Sequence, residues 1–263
     1  MRPDPPGTTA TDFYNAADEQ RYGRTALPAD TGALILLLAR YSIGPNDLIL
    51  DLGCGKGPLR GLGGRYLGLD LSYYALSRFL GTQWGVQADA QQVPVKAGRV
   101  SVVVSTATLE HLPAPGRCLD EIDRVLRPGG LAYLAPAWFC RPWASRGIAV
   151  KPYRSLPLRD RITKALLPIL DSMLVRSLWI IPVRILREIR FGLRRRPVPL
   201  AYRRLHPNLT EYVCADSDAS AAIDPHAAVV YFLSRGYEVI SAPTVLRRIL
   251  ARNAPVIVRK SLG

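Results

Sequence analysis

The sequence is poor in the residues that build metal centres and disulfide frameworks. Its 263 residues include three histidines and four cysteines, Cys54, Cys118, Cys140 and Cys214. These cysteines are widely separated and form no C-x-x-C pair, the spacing typical of zinc sites and redox motifs. We therefore expect four reduced thiols and no bound metal.

Long hydrophobic runs are also missing. The longest stretch without a charged residue, residues 128–140, contains Pro and Gly and is shorter than the ~20 apolar residues of a membrane-spanning helix. The N-terminal residues "MRPDPPGTTATDFYNAADEQ" contain no apolar core that would indicate a signal peptide. These two absences predict a cytoplasmic protein.

Acidic residues are scarce in one part of the chain. The net charge is +14, and residues 151–204 contain 14 Lys or Arg but 3 Asp or Glu. A local excess of this size indicates a partner with an anionic surface. Phosphate, nucleic acid and acidic lipid are the candidates.

Short apolar segments recur along the chain, separated by turns and helical patterns. They are typical of buried parallel strands and lie at 48–52, 66–72, 84–90, 99–106, 131–137, 237–242 and 255–260. Alternation of strands and helices predicts an α/β fold with a doubly wound, mostly parallel sheet of seven strands.

The alternation is interrupted once, and this divides the chain into four parts. Residues 1–30 form a polar leader whose Tyr14 and Tyr22 are candidates for a lid. Residues 31–137 form a cofactor-binding core, and 138–224 form a basic helical insertion after the fifth strand. Residues 225–263 are expected to complete the sheet.

The turn "DLGCGKG" directly after the first strand is the strongest local signal. Its glycines let a ligand lie against the backbone, and several ligand classes use such turns. A P-loop is disfavoured because Gly57, rather than Ser or Thr, follows Lys56. A dinucleotide fingerprint is disfavoured because Pro58 stands at the third glycine and Asp51 would repel a pyrophosphate.

A cationic nucleoside fits the acids of this region better. Asp51, Asp70 and Asp89 follow or end three successive strands. The carboxyl ends of parallel strands meet at one edge of a sheet, where an acid accepts hydrogen bonds from ribose hydroxyls. Three carboxylates at this edge indicate a ligand that is an adenosine derivative with a positive charge.

These motifs carry a family resemblance. "ILDLGCGKGP", "YLGLDLS", "ADAQQVPV", "VVVSTATLEHL" and "LDEIDRVLRPGGLAYLAPA" together resemble a class I S-adenosylmethionine-dependent methyltransferase, of the group with "EHL" and "LxPGG" motifs. The resemblance covers about residues 45–137 and implies a Rossmann-like fold. It implies that S-adenosyl-L-methionine is bound by Asp51, Gly53, Cys54, Gly55, Gly57, Asp70, Leu71, Asp89, Ala90, Thr106 and Leu109.

The chain departs from the family pattern at one place that affects structure. Asp51 and Asp70 are separated by about a helical turn less than is usual in the family. We therefore expect the first helix after the glycine turn to be short.

Few residues are candidates for a general base. His111 lies in "LEHL" and could be catalytic or structural, and His206 lies in the insertion, where it could reach an acceptor. His226 is expected to cap a helix or be solvated. The acids Asp216, Asp218 and Asp224 lack the glycine and the ligand count of a calcium loop, so we expect a helix-entry turn beside the acceptor.

The insertion combines an amphipathic pattern with dense arginine. Apolar residues recur at helical spacing, namely Ile162, Ala165, Leu166, Ile169, Leu170, Met173 and Leu174, and Pro168 and Pro182 predict short or kinked helices. Such a segment could cap the core, lie in a membrane interface or bind nucleic acid. Its long aliphatic side chains are less suited to stacking on bases than aromatic ones.

A second, looser resemblance concerns the acceptor. The segment "ADSDASAAIDPHAAVVYFLSRGYEV" resembles methyltransferases of bacterial surface-glycan and lipid-linked sugar assembly. It implies O-methylation of a glycan or lipid-linked acceptor at the cytoplasmic membrane face, with residues 155–200 contacting an anionic membrane. The alternatives are an RNA methyltransferase that uses the insertion as its substrate platform, and a non-catalytic cofactor-binding scaffold.

Overall fold

A central sheet of seven strands organises the protein. In the computed structural model, which describes residues 9–16, 31–78, 84–193 and 196–262, the strand order is β3-β2-β1-β4-β5-β9-β8. The strands are β1 (Leu48–Leu52), β2 (Arg65–Asp70), β3 (Trp84–Gln87), β4 (Val100–Thr106), β5 (Leu126–Ala135), β8 (Glu238–Val239) and β9 (Val256–Arg259). Strand β9 is antiparallel to both its neighbours, and the other pairs are parallel. The predicted fold class is confirmed.

Helices pack on both faces of this sheet. The helices of the described residues are α1 (Ala10–Asn15), α2 (Thr31–Arg40), α3 (Tyr73–Ser77), α4 (Pro115–Val125), α5 (Leu158–Leu170), α6 (Met173–Leu193), α7 (Pro225–Leu233) and α8 (Val245–Leu250). Alternate residues of each strand point to opposite faces. One set packs with α4 and α7, and the other set packs with α2, so the sheet is buried on both sides as a doubly wound sheet requires.

Several boundaries differ from the sequence-based prediction. Strand β5 begins at Leu126 rather than at residue 131, because Leu126 pairs with Val100 before an irregularity in the register. Strand β3 ends at Gln87 rather than at residue 90. Residues 53–64, between β1 and β2, follow a series of turns, so the short helix predicted there does not form.

The insertion consists of two long helices and a small ribbon. Helices α5 and α6 meet at a bend of 78°, between Leu170 and Met173. Pro168 lies inside α5 and Pro182 lies inside α6, so the bend falls at the junction of the two helices rather than at either proline. The antiparallel pair β6 (Tyr202–Arg204) and β7 (Ala221–Ile223) was not predicted.

Neither α5 nor α6 by itself has the features of a membrane-spanning helix. Among the described residues, no single helix has the length and composition to cross a bilayer, whereas α5 and α6 pass that test jointly.

A buried ionic network fixes α6 to the rest of the protein. Arg184 is 3% exposed and donates hydrogen bonds to Asp224, 2.8 Å away, and to the carbonyl oxygens of Ile249 and Ala251. Glu188 accepts two hydrogen bonds from Arg248 of α8 at 2.8 and 2.9 Å. The insertion is thus pinned to the start of α7 and to α8.

His226 lies at the centre of this network, fully buried rather than solvated. Its Nδ1 is 3.1 Å from Nη1 of Arg187, and its Nε2 is 3.1 Å from Oε1 of Glu188. A neutral imidazole that accepts at Nδ1 and donates at Nε2 satisfies both contacts. Burial lowers the pKa of His226 to about 4, helped by the charge of Arg187.

This depressed pKa predicts a pH dependence of stability. The unfolded histidine takes up a proton near pH ~6.5, whereas the folded one resists it. The free energy of unfolding should therefore be level above about pH 6.5 and fall by up to ~3 kcal/mol towards pH 4. Replacing the imidazole in His226→Gln, whose amide can accept and donate in the same directions, should remove this fall. Urea unfolding of both proteins across this pH range measures it, and identical pH profiles would contradict it.

Candidate active site

A cavity that could hold a ligand lies where the strand order reverses. A cavity of about 400 Å³ opens at the carboxyl ends of β1, β2 and β4, the position where doubly wound sheets bind ligands. It is lined by Ala10, Thr11, Tyr14, Gly53, Asp70, Leu71, Asp89, Gln91, Ala107, Thr108, His111, Leu112, Pro113, Tyr212, Ala215, Asp216 and Asp218.

Gly53 lets two loops meet at the floor of this cavity. Its φ is +75°, and a Cβ built on it would lie 2.0 Å from Oγ1 of Thr108. That hydroxyl is held in place because it donates towards the carbonyl oxygens of Leu52 and Thr106. A side chain at position 53 would therefore displace the loop after β4 and fill the floor.

Asp70 is oriented by backbone amides. Its two carboxylate oxygens accept hydrogen bonds from the N–H groups of Gly55 and Ser72, each at 2.8 Å. Burial raises the pKa of Asp70, and these backbone hydrogen bonds oppose that rise. Each oxygen retains a second lone pair, so the carboxylate can still accept from a pair of neighbouring hydroxyls.

Asp89 is held by a neighbouring amide. Its Oδ1 accepts from the backbone N–H of Gln91 at 2.8 Å, and both of its oxygens lie 3.1 Å from Gln91 Nε2. Both side chains line the cavity, so carboxylate and amide groups are available to an exocyclic amine.

Asp51 departs from the expectation that it lines the methionine end of the cofactor. Its side chain is 2% exposed and lies beneath the cavity rather than along it. Its Oδ2 accepts from the hydroxyl of Tyr66 at 2.5 Å, while its Oδ1 has no hydrogen-bond partner among the described residues. Burial, together with the charge of Asp70, raises its pKa to about 7.

The remaining predicted cofactor residues divide into two groups. Gly53, Asp70, Leu71 and Asp89 line the cavity. The predicted residues that do not line it are Asp51, Cys54, Gly55, Gly57, Ala90, Thr106 and Leu109. Leu109 and Ala90 are buried in the hydrophobic core below α4. Ala107 and Thr108 line the cavity from the loop after β4, where Thr106 and Leu109 were expected.

A second group of polar side chains forms the opposite wall. His111 Nδ1 lies 3.3 Å from Oδ2 of Asp218, although the N–H direction does not make this a hydrogen bond. Burial lowers the pKa of His111, but the carboxylates of Glu110, Asp218 and Asp216 raise it more, so it lies above its ordinary value. His111 is thus a basic imidazole at the cavity surface.

The leader contributes to the same wall. Tyr14 of α1 lines the cavity and donates a hydrogen bond to Oδ2 of Asp218 at 2.8 Å. Its carbonyl oxygen accepts from the hydroxyl of Ser72, which holds α1 against the end of β2. Tyr22, the other candidate for a lid, lies outside the described residues.

Two predictions about polar residues of the insertion need correction. His206 is exposed in the loop after β6 and is not among the cavity residues. Asp224 caps α7 and pairs with Arg184 and Arg187, away from the cavity. Asp216 and Asp218 do line it, as the sequence indicated for the acceptor side.

Two of the four non-glycine residues with positive φ in the described part of the chain line this cavity. They are Ala107 and Asp216, with φ values of +48° and +59°. Non-glycine residues rarely adopt this conformation, and where they do, the surroundings enforce it at functional sites. The surrounding loops therefore fix the positions of both residues.

The charge of the cavity fits a cationic nucleoside. Four aspartates line it, and among the described residues no Lys or Arg does, although the chain carries a net charge of +14. Its volume falls within the usual range for small-molecule sites. Asp70 would hold the ribose of S-adenosylmethionine, and Asp89 with Gln91 would hold the adenine.

The strand order and the lining of the cavity are typical of a class I S-adenosylmethionine-dependent methyltransferase domain. Residues 50–134 match the family model described as a methyltransferase domain. The expected class and cofactor are confirmed for this part of the chain.

Individual relatives cover the same region. The chain is 34% identical over 99 residues to a ubiquinone biosynthesis O-methyltransferase of Nitrosococcus oceani, covering 33% of this chain and 42% of that protein. It is 31% identical over 152 residues to an uncharacterized methyltransferase of Mycobacterium tuberculosis, covering 53% and 59%. The chain thus spans about two fifths to three fifths of these relatives. A crystal structure of a methyltransferase from Aquifex aeolicus aligns with a TM-score of 0.38 at 16% identity, covering 48% and 76%.

The position of Asp70 predicts its effect on cofactor binding. Asp70→Asn removes the negative charge that would accept two ribose hydroxyls, and each such hydrogen bond contributes about 1.5–3 kcal/mol. The dissociation constant for S-adenosylmethionine should rise at least ~10-fold, as measured by isothermal titration calorimetry. Glu238→Gln, an exposed acid on β8, is the matched control and should bind normally. Equal affinities for the two variants would contradict this assignment.

Proposed function

We propose that this protein transfers a methyl group from S-adenosylmethionine to a hydroxyl of a glycan or lipid-linked acceptor at the cytoplasmic face of a membrane. One observation carries the reaction type. The cavity that contains Asp70 and Asp89, which suit the cofactor, is also lined by an imidazole beside a carboxylate, His111 and Asp218.

His111 is the proton acceptor in this proposal. When bound, S-adenosylmethionine supplies a methyl group on a positively charged sulfur. The acceptor oxygen forms the new C–O bond as the C–S bond breaks, its proton passes to His111, and a neutral thioether remains. The Asp218 carboxylate stabilises the resulting imidazolium, and Tyr14 holds that carboxylate in place.

The acceptor side of the cavity suits a neutral, hydroxyl-rich group. Asp216 and Asp218 can accept hydrogen bonds from hydroxyls, and Tyr212 provides an aromatic surface. Burial raises the pKa of Asp216. The same carboxylates repel phosphates, so a sugar ring is a better occupant than a nucleotide of RNA.

Helix α6 supports a location at a membrane because it turns its charged side towards the protein and its apolar side outward, the reverse of an ordinary surface helix. Its charged residues Arg176, Arg184, Arg187 and Glu188 face the protein, and of its charged residues Arg190 alone is exposed. Its outer face is apolar, with exposed fractions of 43–80% for Leu174, Leu178, Trp179, Val183, Ile185, Leu186, Ile189 and Leu193. Water is a poor environment for such a face, whereas the interface of a bilayer accepts it.

Helix α5 extends this surface. Leu158, Ile162, Leu166 and Ile169 are exposed on one side of it, flanked by the exposed Arg159 and Arg161. Basic residues beside an apolar face favour anionic lipid, each adding about 1 kcal/mol near an acidic leaflet. For RNA the arrangement is unfavourable, since most arginines of α6 are turned inward.

The role of His111 predicts a selective loss of catalysis. His111→Gln should lower the rate of methyl transfer by roughly 10²–10⁴-fold without changing the affinity for S-adenosylmethionine. The assay is transfer of labelled methyl groups into the solvent-extractable lipid fraction of a bacterial membrane extract.

The same role predicts a pH dependence of the rate. Because the imidazole must be unprotonated, the wild-type rate should rise with pH, with a midpoint above ~6.5. Asp218→Asn should lower that midpoint, since Asp218 raises the pKa of His111.

The exposed His206 provides the control for this experiment. His206→Gln should retain the wild-type rate because the residue lies outside the cavity. Label that appears in RNA and not in lipid would overturn the proposed acceptor, and a normal rate for His111→Gln would overturn the proposed base.

The reversed polarity of α6 predicts binding to vesicles. The protein should sediment with phosphatidylcholine vesicles that contain phosphatidylglycerol. The double variant Leu178→Asp, Ile189→Asp should bind these vesicles at least ~10-fold more weakly, because each apolar side chain contributes about 1.5–3 kcal/mol when buried. Leu36→Asp, at an exposed site on α2, should have no effect. If wild-type protein ignores vesicles, or if light scattering shows a dimer that the α6 changes dissociate, the face is a protein interface instead.

A further inference from the structure

A second cavity lies on the other side of α6, between this helix and α8. Its volume is about 290 Å³. It is lined by Phe139, Met173, Arg176, Ser177, Ile180, Ile181, Arg184, Ile249, Leu250, Ala251, Arg252 and Asn253. None of these residues lines the methyl-transfer cavity, so the two are separate sites.

This cavity has an unbalanced positive charge. Arg184 is already committed to Asp224 and to two carbonyl oxygens. The guanidinium groups of Arg176 and Arg252 form no ion pair or hydrogen bond with any part of the chain that the structure describes. Arg176 instead lies over the ring of Phe139, 4.9 Å from its centre.

The environment of Arg176 shows that a negative charge would be favourable there. Burial lowers the pKa of its guanidinium, and repulsion from Arg141 and Arg184 lowers it further, while Asp171 opposes this. The carboxylate of Asp171 is engaged by Arg141 at 2.5 Å. An anion placed between Arg176 and Arg252 would relieve this repulsion.

The rest of the lining is apolar. Met173, Ile180, Ile181, Ile249 and Leu250 provide hydrocarbon surface next to the two guanidinium groups. Guanidinium groups bind phosphate through paired N–H donors, and the hydrocarbon walls suit an alkyl chain. A ligand that is anionic at one end and aliphatic at the other satisfies both parts.

The mouth of the cavity is continuous with exposed apolar surface. Leu250 lines the cavity and is 54% exposed, and Val245 and Leu246 of the same helix are also exposed. An inorganic ion would leave these walls without a partner. A lipid approaching from this surface would cover them.

We propose that the cavity between α6 and α8 binds the phosphate group of an anionic lipid, together with the first carbons of its chain. Arg176 and Arg252 bind the phosphate oxygens, and the isoleucines and Met173 contact the chain. This site is additional to the methyl-transfer cavity. Binding to this site is measured without a methyl donor, so the result tests this proposal independently of the proposed transfer reaction.

The test uses octyl phosphate below its micelle concentration and inorganic phosphate, each titrated calorimetrically into the full chain. Octyl phosphate should bind, and inorganic phosphate should bind at least ~10-fold more weakly because it lacks the chain. Arg176→Gln and Arg252→Gln should each lower the affinity for octyl phosphate at least ~10-fold. Arg176→Lys keeps the charge without the paired donors and should give a smaller loss.

The control is Arg99→Gln, which removes an equal charge from an exposed site beside β4 and should bind octyl phosphate normally. Thermal unfolding of each variant identifies any that fail to fold. If Arg176→Gln fails to fold, the test rests on Arg252→Gln, because Arg252 is exposed and its replacement should not disturb folding. Absence of octyl phosphate binding would overturn the proposal. So would equal affinity for inorganic phosphate, or an equal loss in Arg99→Gln.

Discussion

The ion pairs of Arg184 and Arg187 with Asp224 determine how the insertion is presented. They turn the charged side of α6 inward, where Glu188 also meets Arg248 and His226. Burial raises the pKa of Asp224, but the two guanidinium groups lower it more, so the carboxylate stays ionised. Buried ion pairs gain little net stability over apolar packing. Their effect here is orientation, because the apolar side of α6 is left facing outward.

The same separation of charge gives the methyl-transfer cavity its selectivity. In a protein with a net charge of +14, a cavity lined by four aspartates attracts a cation and repels phosphates. The second cavity has the opposite character, because two of its arginines, Arg176 and Arg252, have no carboxylate partner in the described part of the chain. The two cavities therefore select ligands of opposite charge, one the sulfonium cofactor and the other an anionic amphiphile.

The core of the fold and part of the site could be predicted from sequence because their signals are local. Each strand is an apolar run, and Asp70 and Asp89 follow strand ends that the sheet brings together. The arrangement of α6 depends on distant partners. Asp224 is 40 positions from Arg184, and Arg248 is 60 positions from Glu188. A helical pattern contains no information about such partners, so it could not show which side faces inward. His206 was misplaced for the same reason, since an unpredicted ribbon sets its position.

One short segment, residues 218–224, joins the ion pair that holds α6 to the proposed catalytic pair. Asp218 lies beside His111 at one end of the segment, Asp224 forms an ion pair with Arg184 at the other end, and β7 lies between them. The backbone N–H of Ser220 donates to the carbonyl oxygen of Glu110, and that of Phe139 donates to the carbonyl oxygen of Ile223, so the segment is held at both ends. Helix α6 and the proposed catalytic pair therefore contact the two ends of one short segment. The outer face of α6, which is the surface proposed to meet the membrane, is joined to Asp218 through the ion pair of Arg184 with Asp224 and through β7.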